Sequence, residues 1–281
     1  MSEKPFQHIR GLVVDWAGTV IDHGSRAPAI VFQEVFRQCG VGITFAEARE
    51  PMGLSKRAHI AALLSLPRVA EAWKGARGRA ATSEDVDEMY ARFLPLQKAT
   101  LQDHSQLIEG VAESVCGLRR RGLSIGSTTG YTQDLMDVVK PLAAHQGFAP
   151  DVVVCSDQVE GGRPAPWMLS RAAEALHVYP LWRIVKVDDT VPGIKAARHA
   201  GAWAVGVSRT GNEVGFSPEE WEGLAPGQQA AALTRAEEIL RQAGSDGVVE
   251  SVAEIVPVLE EIEARLERGE RPACADTRGV D

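Results

Sequence analysis

A short apolar run, Leu12-Val13-Val14, ends abruptly at Asp15, and Gly18-Thr19 follows three residues later. The run reads as a buried strand, and the glycine lets the chain turn tightly just beyond it. In an open parallel sheet, ligands gather beyond the carboxyl ends of the strands. An aspartate there can attack phosphorus, hold a metal, or do both. A strand ending in a solvated turn is the plainer reading of so short a motif, so the rest of the chain has to decide.

The remainder alternates strand and helix. Apolar runs at Leu123–Thr128, Val152–Cys155, Ile184–Val187 and Ala202–Val207 read as strands. Helical patterns lie between them, at Gly110–Arg121, Thr132–His145, Ala165–Leu176 and Val191–His199. Such repetition predicts an α/β fold with a doubly wound parallel sheet. A surface helix at Pro226–Ala243, an edge strand at Gly247–Glu250, a closing helix at Val252–Arg268 and a frayed tail from Glu270 complete it. Residues 26–100 differ. Helical spacing at Ala27–Gly40, Phe45–Arg49, Ser55–Leu66 and from Ser83 towards Gln97 has no strand candidate among it. An all-helical insert, residues 23–103, is therefore expected within a core made of residues 1–22 and 104–281.

Four strand ends carry reactive groups in order. Asp15 follows the first. Gly126-Ser127-Thr128-Thr129-Gly130-Tyr131 follows the second, with hydroxyls and backbone N–H groups at a helix entry, suited to phosphate oxygens. Arg163, in Gly161-Gly162-Arg163-Pro164, can neutralise a phosphate or a carboxylate. Asp188-Asp189-Thr190 offers a hard-oxygen pair suited to Mg2+. A helix cap, a surface ion pair or a solvated turn explains each one singly; coincidence explains all four poorly.

This order resembles the haloacid dehalogenase superfamily of phosphotransferases, and the helical insert resembles its cap domain. The resemblance implies that Asp15 is a nucleophile forming an aspartyl-phosphate and that Thr129 holds the phosphoryl group. It also implies a Mg2+ site made by Asp15, the backbone carbonyl of Ala17 and an acid after the fourth strand. Ala17 is a departure. Phosphatases of the superfamily usually have a second aspartate there to protonate the leaving oxygen, and alanine has no proton to donate.

The insert supplies a different chemistry. Pro51-Met52-Gly53-Leu54-Ser55-Lys56-Arg57-Ala58-His59 puts Lys56 and His59 on one helical face. A buried, neutral lysine forms a Schiff base with a carbonyl. The protonated imine then accepts the electron pair of a breaking carbon–phosphorus bond, and no acid at position 17 is needed. Solvated lysine and structural histidine are the ordinary alternatives.

Together with Asp15-Trp16-Ala17-Gly18-Thr19, Gly162-Arg163-Pro164, Pro166-Trp167-Met168 and Val187-Asp188-Asp189-Thr190-Val191, the Met52-Gly53-Leu54-x-Lys56 segment resembles the phosphonatase family, the phosphonoacetaldehyde hydrolases. The likeness runs on to Arg268-Gly269-Glu270-Arg271-Pro272. It implies hydrolysis of phosphonoacetaldehyde to acetaldehyde and phosphate, within 2-aminoethylphosphonate degradation, by a cytoplasmic homodimer using Mg2+. Lys56 would be the Schiff-base lysine. Met52, His59, Gly130 and Tyr131 would join Thr129 and Arg163 around the substrate, with His59 helping proton transfer. Many relatives have an aspartate where Gly193 stands, and a glycine at the position of Asp188. Asp189 is the better match for the metal ligand and Asp188 for a supporting role. Ser25 replaces a cysteine found in some relatives.

Composition narrows the alternatives. With a net charge of −8, a nucleic-acid or anionic-membrane surface is not expected. The early apolar stretch is interrupted by Asp15, so neither a signal peptide nor a membrane span is expected. Cys39, Cys116, Cys155 and Cys274 are widely spaced, which fits free thiols in a reducing compartment better than a disulfide or zinc framework. Val31, Phe32, Val35 and Phe36 can pack internally or across a dimer. A phosphate-ester phosphatase or phosphomutase on the same scaffold is the competing enzymatic reading, and a silent binding protein the competing class.

Overall fold

Strand β1 (Gly11–Val14) lies inside a six-stranded sheet with β2 (Ser124–Thr129), β3 (Val152–Cys155), β4 (Ile184–Asp188), β5 (Trp203–Val207) and β6 (Gly247–Val249), in the order β3-β2-β1-β4-β5-β6. Every adjacent pair is parallel. The structure is a computed structural model and describes residues 4–273. β1, β4 and β5 are buried along their whole length, as apolar strands covered on both faces must be.

Side chains alternate across the sheet and feed two separate cores. Leu12 and Val14 face one, with residues of α6 (Val111–Arg120), α7 (Gln133–His145) and α12 (Val256–Glu267). Val13 faces the other, with residues of α8 (Trp167–Ala175), α9 (Val191–Ala200) and α11 (Pro226–Gln242). This is a doubly wound sandwich with helices on both sides. Parallelism puts all strand carboxyl ends on one rim. Val14 is in register with Ser127 and with Val187, so Asp15 sits level with Thr128 and Asp188.

Between β1 and β2 the chain is helical: α1 (Arg26–Gln38), α2 (Phe45–Arg49), α3 (Lys56–Ser65), α4 (Pro67–Arg77) and α5 (Ser83–Thr100). These helices bury Phe32, Phe36, Ile60, Leu63, Trp73 and Phe93 against one another in a third core. Val31, Phe32, Val35 and Phe36 are all buried within the chain, which settles the internal alternative for these four.

Two helices escaped the sequence reading. Pro67 ends α3 as expected, but it also opens α4 from the first helical turn, where its missing N–H costs nothing. A five-residue helix, α10 (Pro218–Glu222), is set by a capping box of Ser217 and Glu220. The expected closing helix instead begins with a short 3-10 turn, Val252–Glu254. Cys39, Cys116 and Cys155 are free thiols, while Cys274 and most of the expected frayed tail lie outside the described residues. Among the described residues, no helix is long and apolar enough to cross a membrane.

Candidate active site

At the sheet rim the insert meets the strand ends. Asp15, Ala17, Met52, Lys56, Thr129, Gly130, Tyr131 and Arg163 line one small cavity, joined by Ser25, Gly53 and Thr190. Its volume is about 20 Å³, room for roughly one water. Close approach depends on Gly53, whose φ is 93°, and a Cβ there would lie 2.4 Å from the Thr190 hydroxyl. Two roomier clefts, of about 710 Å³ beside His104 and Trp221 and about 540 Å³ beside Arg57 and Lys74, contain none of Asp15, Lys56, Thr129 and Arg163.

Arg163 is buried and spans two carboxylates. Its Nη2 donates to Asp15 Oδ1 and to the carbonyl and hydroxyl of Thr128, at 2.9 and 3.0 Å. Its Nη1 lies 3.4 Å from Asp188 Oδ2. Burial opposes its charge, but Asp15 and Asp188 outweigh that and hold the guanidinium protonated. Lys186, which the sequence reading passed over, is also buried in β4, with Nζ 2.8 Å from Asp188 Oδ2. An alternation-only reading takes a strand lysine as an outward residue; here both faces are covered.

Asp15, Asp188 and Asp189 bring carboxylate oxygens within 4.8 Å of one another, all buried. They are not equivalent. Burial disfavours the charge on Asp188, but Arg163 and Lys186 overcome it and lower its pKa. Its Oδ1 also accepts from the Thr190 hydroxyl at 2.7 Å. Burial, Asp15 and Asp188 together push Asp189 well above the usual carboxylate range. Asp189 receives the Thr19 hydroxyl, at 3.1 Å, and the Asn212 N–H, at 2.8 Å. Asp15 is raised by burial, with Arg163 opposing and Asp188 adding to the rise. A divalent cation fits this excess of buried negative charge and its all-oxygen donors.

Lys56 enters from the first turn of α3 and is buried. Burial lowers its pKa to about 8, with Asp15 pulling the other way. His59 lies one turn further along, fully buried, and does not line the cavity. Its ring stacks on Phe32 at 3.8 Å between centroids, and Nε2 is 2.9 Å from the Ala48 carbonyl. A carbonyl only accepts, so Nε2 carries the proton and Nδ1 is the unprotonated nitrogen. Nδ1 has no partner among the described residues, and burial followed by Lys56 keeps the imidazole neutral. The Tyr131 hydroxyl is likewise buried without a partner among the described residues. Thr129 Oγ1 accepts from the Tyr131 N–H at 3.1 Å.

Comparison with known proteins identifies the family. The haloacid dehalogenase-like hydrolase family matches residues 9–201. The chain is 46% identical to the phosphonoacetaldehyde hydrolase of Paraburkholderia phytofirmans over 95% of its own length and 100% of the relative's. It is 45% identical to that of Nitratidesulfovibrio vulgaris over 94% of each chain. A crystal structure of a phosphonoacetaldehyde hydrolase-like protein from Oleispira antarctica superposes with a TM-score of 0.93 at 40% identity, covering 97% of this chain and 99% of that one. The chain is a haloacid dehalogenase-like hydrolase and belongs to the phosphonoacetaldehyde hydrolase family.

Proposed function

We propose that the protein hydrolyses phosphonoacetaldehyde to acetaldehyde and phosphate through a Schiff base on Lys56 and an aspartyl-phosphate on Asp15. One observation carries the reading: a buried lysine, its pKa lowered to about 8, shares a cavity with Asp15, while position 17 holds an alanine. At pH 7 about a tenth of such an amine is neutral and nucleophilic.

The neutral Lys56 amine attacks the aldehyde carbon; loss of water leaves an imine, whose nitrogen takes up a proton to become the iminium. Asp15 attacks phosphorus as the carbon–phosphorus bond breaks, and the bonding pair flows into the iminium to give an enamine. Protonation at carbon and hydrolysis release acetaldehyde and return Lys56. A second water cleaves the aspartyl-phosphate. His59, neutral and one helical turn from Lys56, would assist proton transfer at Lys56 from outside the cavity lining. Arg163, Thr129 and the Gly130 N–H hold the phosphonate oxygens, and Met52 and Tyr131 line the aldehyde side. Asp15, Asp189 and the Ala17 carbonyl would hold Mg2+, with Asp188 in support; bound there, it offsets charge on the phosphoryl oxygens.

Residues 23–103 act in this reading as a cap that opens over the core of residues 1–22 and 104–281. A cytoplasmic homodimer belongs to the same reading, and its contact would use surface other than the internally buried face of α1. The deciding experiment assays phosphonoacetaldehyde beside a simple phosphate ester. Turnover of the phosphonate at least 100-fold above the ester is expected. The reverse order would favour a phosphatase or mutase, for which Ala17 provides no acid.

A further inference from the structure

Gly193 stands in the first turn of α9, and its φ lies outside the left-handed region that favours glycine. Any residue can adopt such a backbone, and glycine in a helix costs about 1 kcal/mol relative to alanine. Conformation therefore gives no reason for it; space does. A Cβ at position 193 would lie 2.0 Å from Asp188 Cγ and 2.1 Å from each carboxylate oxygen, well inside contact distance. The carboxylate of Asp188 occupies the volume that a side chain at 193 would enter. From there it holds Lys186 Nζ at 2.8 Å and Arg163 Nη1 at 3.4 Å, while the other arm of the same guanidinium rests on Asp15. Thr190 closes the unit, its hydroxyl donating to Asp188 and accepting from the Gly193 N–H at 3.2 Å.

We propose that Asp188 and Gly193 are a matched pair, in which the missing side chain seats the carboxylate that aims Arg163 at Asp15. Asp188 is then a positioning residue, acting through Arg163. A planar guanidinium held at both ends keeps one orientation, and losing one end frees it to rotate off the nucleophile. The inference deepens the preceding reading, since it takes Asp15 as the reacting group.

Four variants test it with two readouts. Gly193→Ala should lower the melting temperature, because the methyl collides with a carboxylate fixed by two cations. The same change made on Asp188→Gly should raise it, since the collision is gone and the helix gains alanine. On phosphonoacetaldehyde, Asp188→Gly should cut kcat by about 10- to 100-fold, the weight of a charged hydrogen bond, with KM moving less. Asp188→Gly with Gly193→Asp returns a carboxylate to the same volume from the helix side, and should recover at least about 10-fold of that loss. Wild-type melting and kcat in Gly193→Ala, normal turnover in Asp188→Gly, or no recovery in the double variant would each overturn the pairing. The melting arms need no substrate. A wild type inactive on phosphonoacetaldehyde but with the melting reversal intact would sink the functional reading alone, and the kinetic arms would then be read on the phosphate ester.

Discussion

Lys56 Nζ lies 5.0 Å from the centre of the Tyr131 ring, a contact that joins the helical insert to the end of β2. The rings of Phe32 and Phe93 stand 5.7 and 6.0 Å from the same nitrogen. Aromatic faces favour a cation, but each contributes only about 0.5–2 kcal/mol. Loss of water around the ammonium is the larger effect, and the pKa falls.

Imine formation at Lys56 should therefore follow pH. A pKa of about 8 makes the neutral fraction rise roughly 50-fold between pH 6 and 8. Inactivation by borohydride with acetaldehyde should rise in step, and mass spectrometry should find the adduct on Lys56. Lys56→Arg should form no adduct and lose carbon–phosphorus cleavage, because guanidinium stays protonated. An adduct elsewhere, or normal turnover in Lys56→Arg, would remove the Schiff base.

Stability should carry the mark of the same burial. The folded pKa lies below the ordinary 10.5, so the cost of the buried ammonium is fully present below about pH 8. It disappears as pH rises towards 10.5. Lys56→Met should raise the melting temperature by roughly 4 °C at pH 7 and by less at pH 10. Equal shifts at both pH values would contradict the assignment of a buried charge.

Replacing Asp15 by Asn keeps the shape and removes the nucleophile. Turnover should fall at least about 1,000-fold with the circular dichroism spectrum unchanged. Near-normal turnover in the purified variant would exclude an aspartyl-phosphate.

Divalent metal should stabilise the protein as well as activate it. The raised pKa of Asp189 means that protonation competes with the cation, so Mg2+ affinity should strengthen as pH rises. Without metal the sign is the usual one for a raised carboxylate: its stabilisation is present below pH 3.8 and lost as pH rises through the folded value. Mg2+ titrations followed by melting temperature should show Asp189→Ala raising the required concentration at least about 10-fold, and more than Asp188→Ala does. The opposite ranking would exchange the two roles.

The cavity of about 20 Å³ has no room for a substrate, and the proposed mechanism therefore expects the insert to swing away for entry. Its two connections are tied where His104 Nδ1 meets Asp22 Oδ1 at 3.1 Å; Asp22 Oδ2 also accepts the Ala27 N–H at 2.9 Å. Asp22 raises the His104 pKa, so the tie is strongest below pH 6.5 and weakens above the raised value. Asp22→Ala should cost about 1 kcal/mol or more of stability from the lost hydrogen bond to the Ala27 N–H alone. Small-angle scattering should show a more compact particle with a phosphate analogue than without. Identical, compact profiles in both conditions would argue against an opening cap.

Much of the fold was legible because apolar runs and helical spacing are local. The strand ending at Asp15, the returning alternation after residue 104 and the strand-free stretch between them are consequences of which side chains seek burial. Asp15, Lys56, Thr129, Arg163 and the Asp188-Asp189 pair stood out for the same reason, as reactive groups at predicted element ends. Other features were decided only by packing. Pro67 reads equally well as a stop or a start, and only the apolar face of α4 in the insert core selects the start. Lys186 gains its role because β4 is covered on both sides, and the Asn212 N–H because the loop after β5 passes Asp189. Gly193 looks like a weak helix residue until the Asp188 carboxylate is placed beside it. The Arg163–Asp15 contact joins residues 148 positions apart. Local spacing carries no information about such distances; the register of a parallel sheet and the closure of the insert supply it.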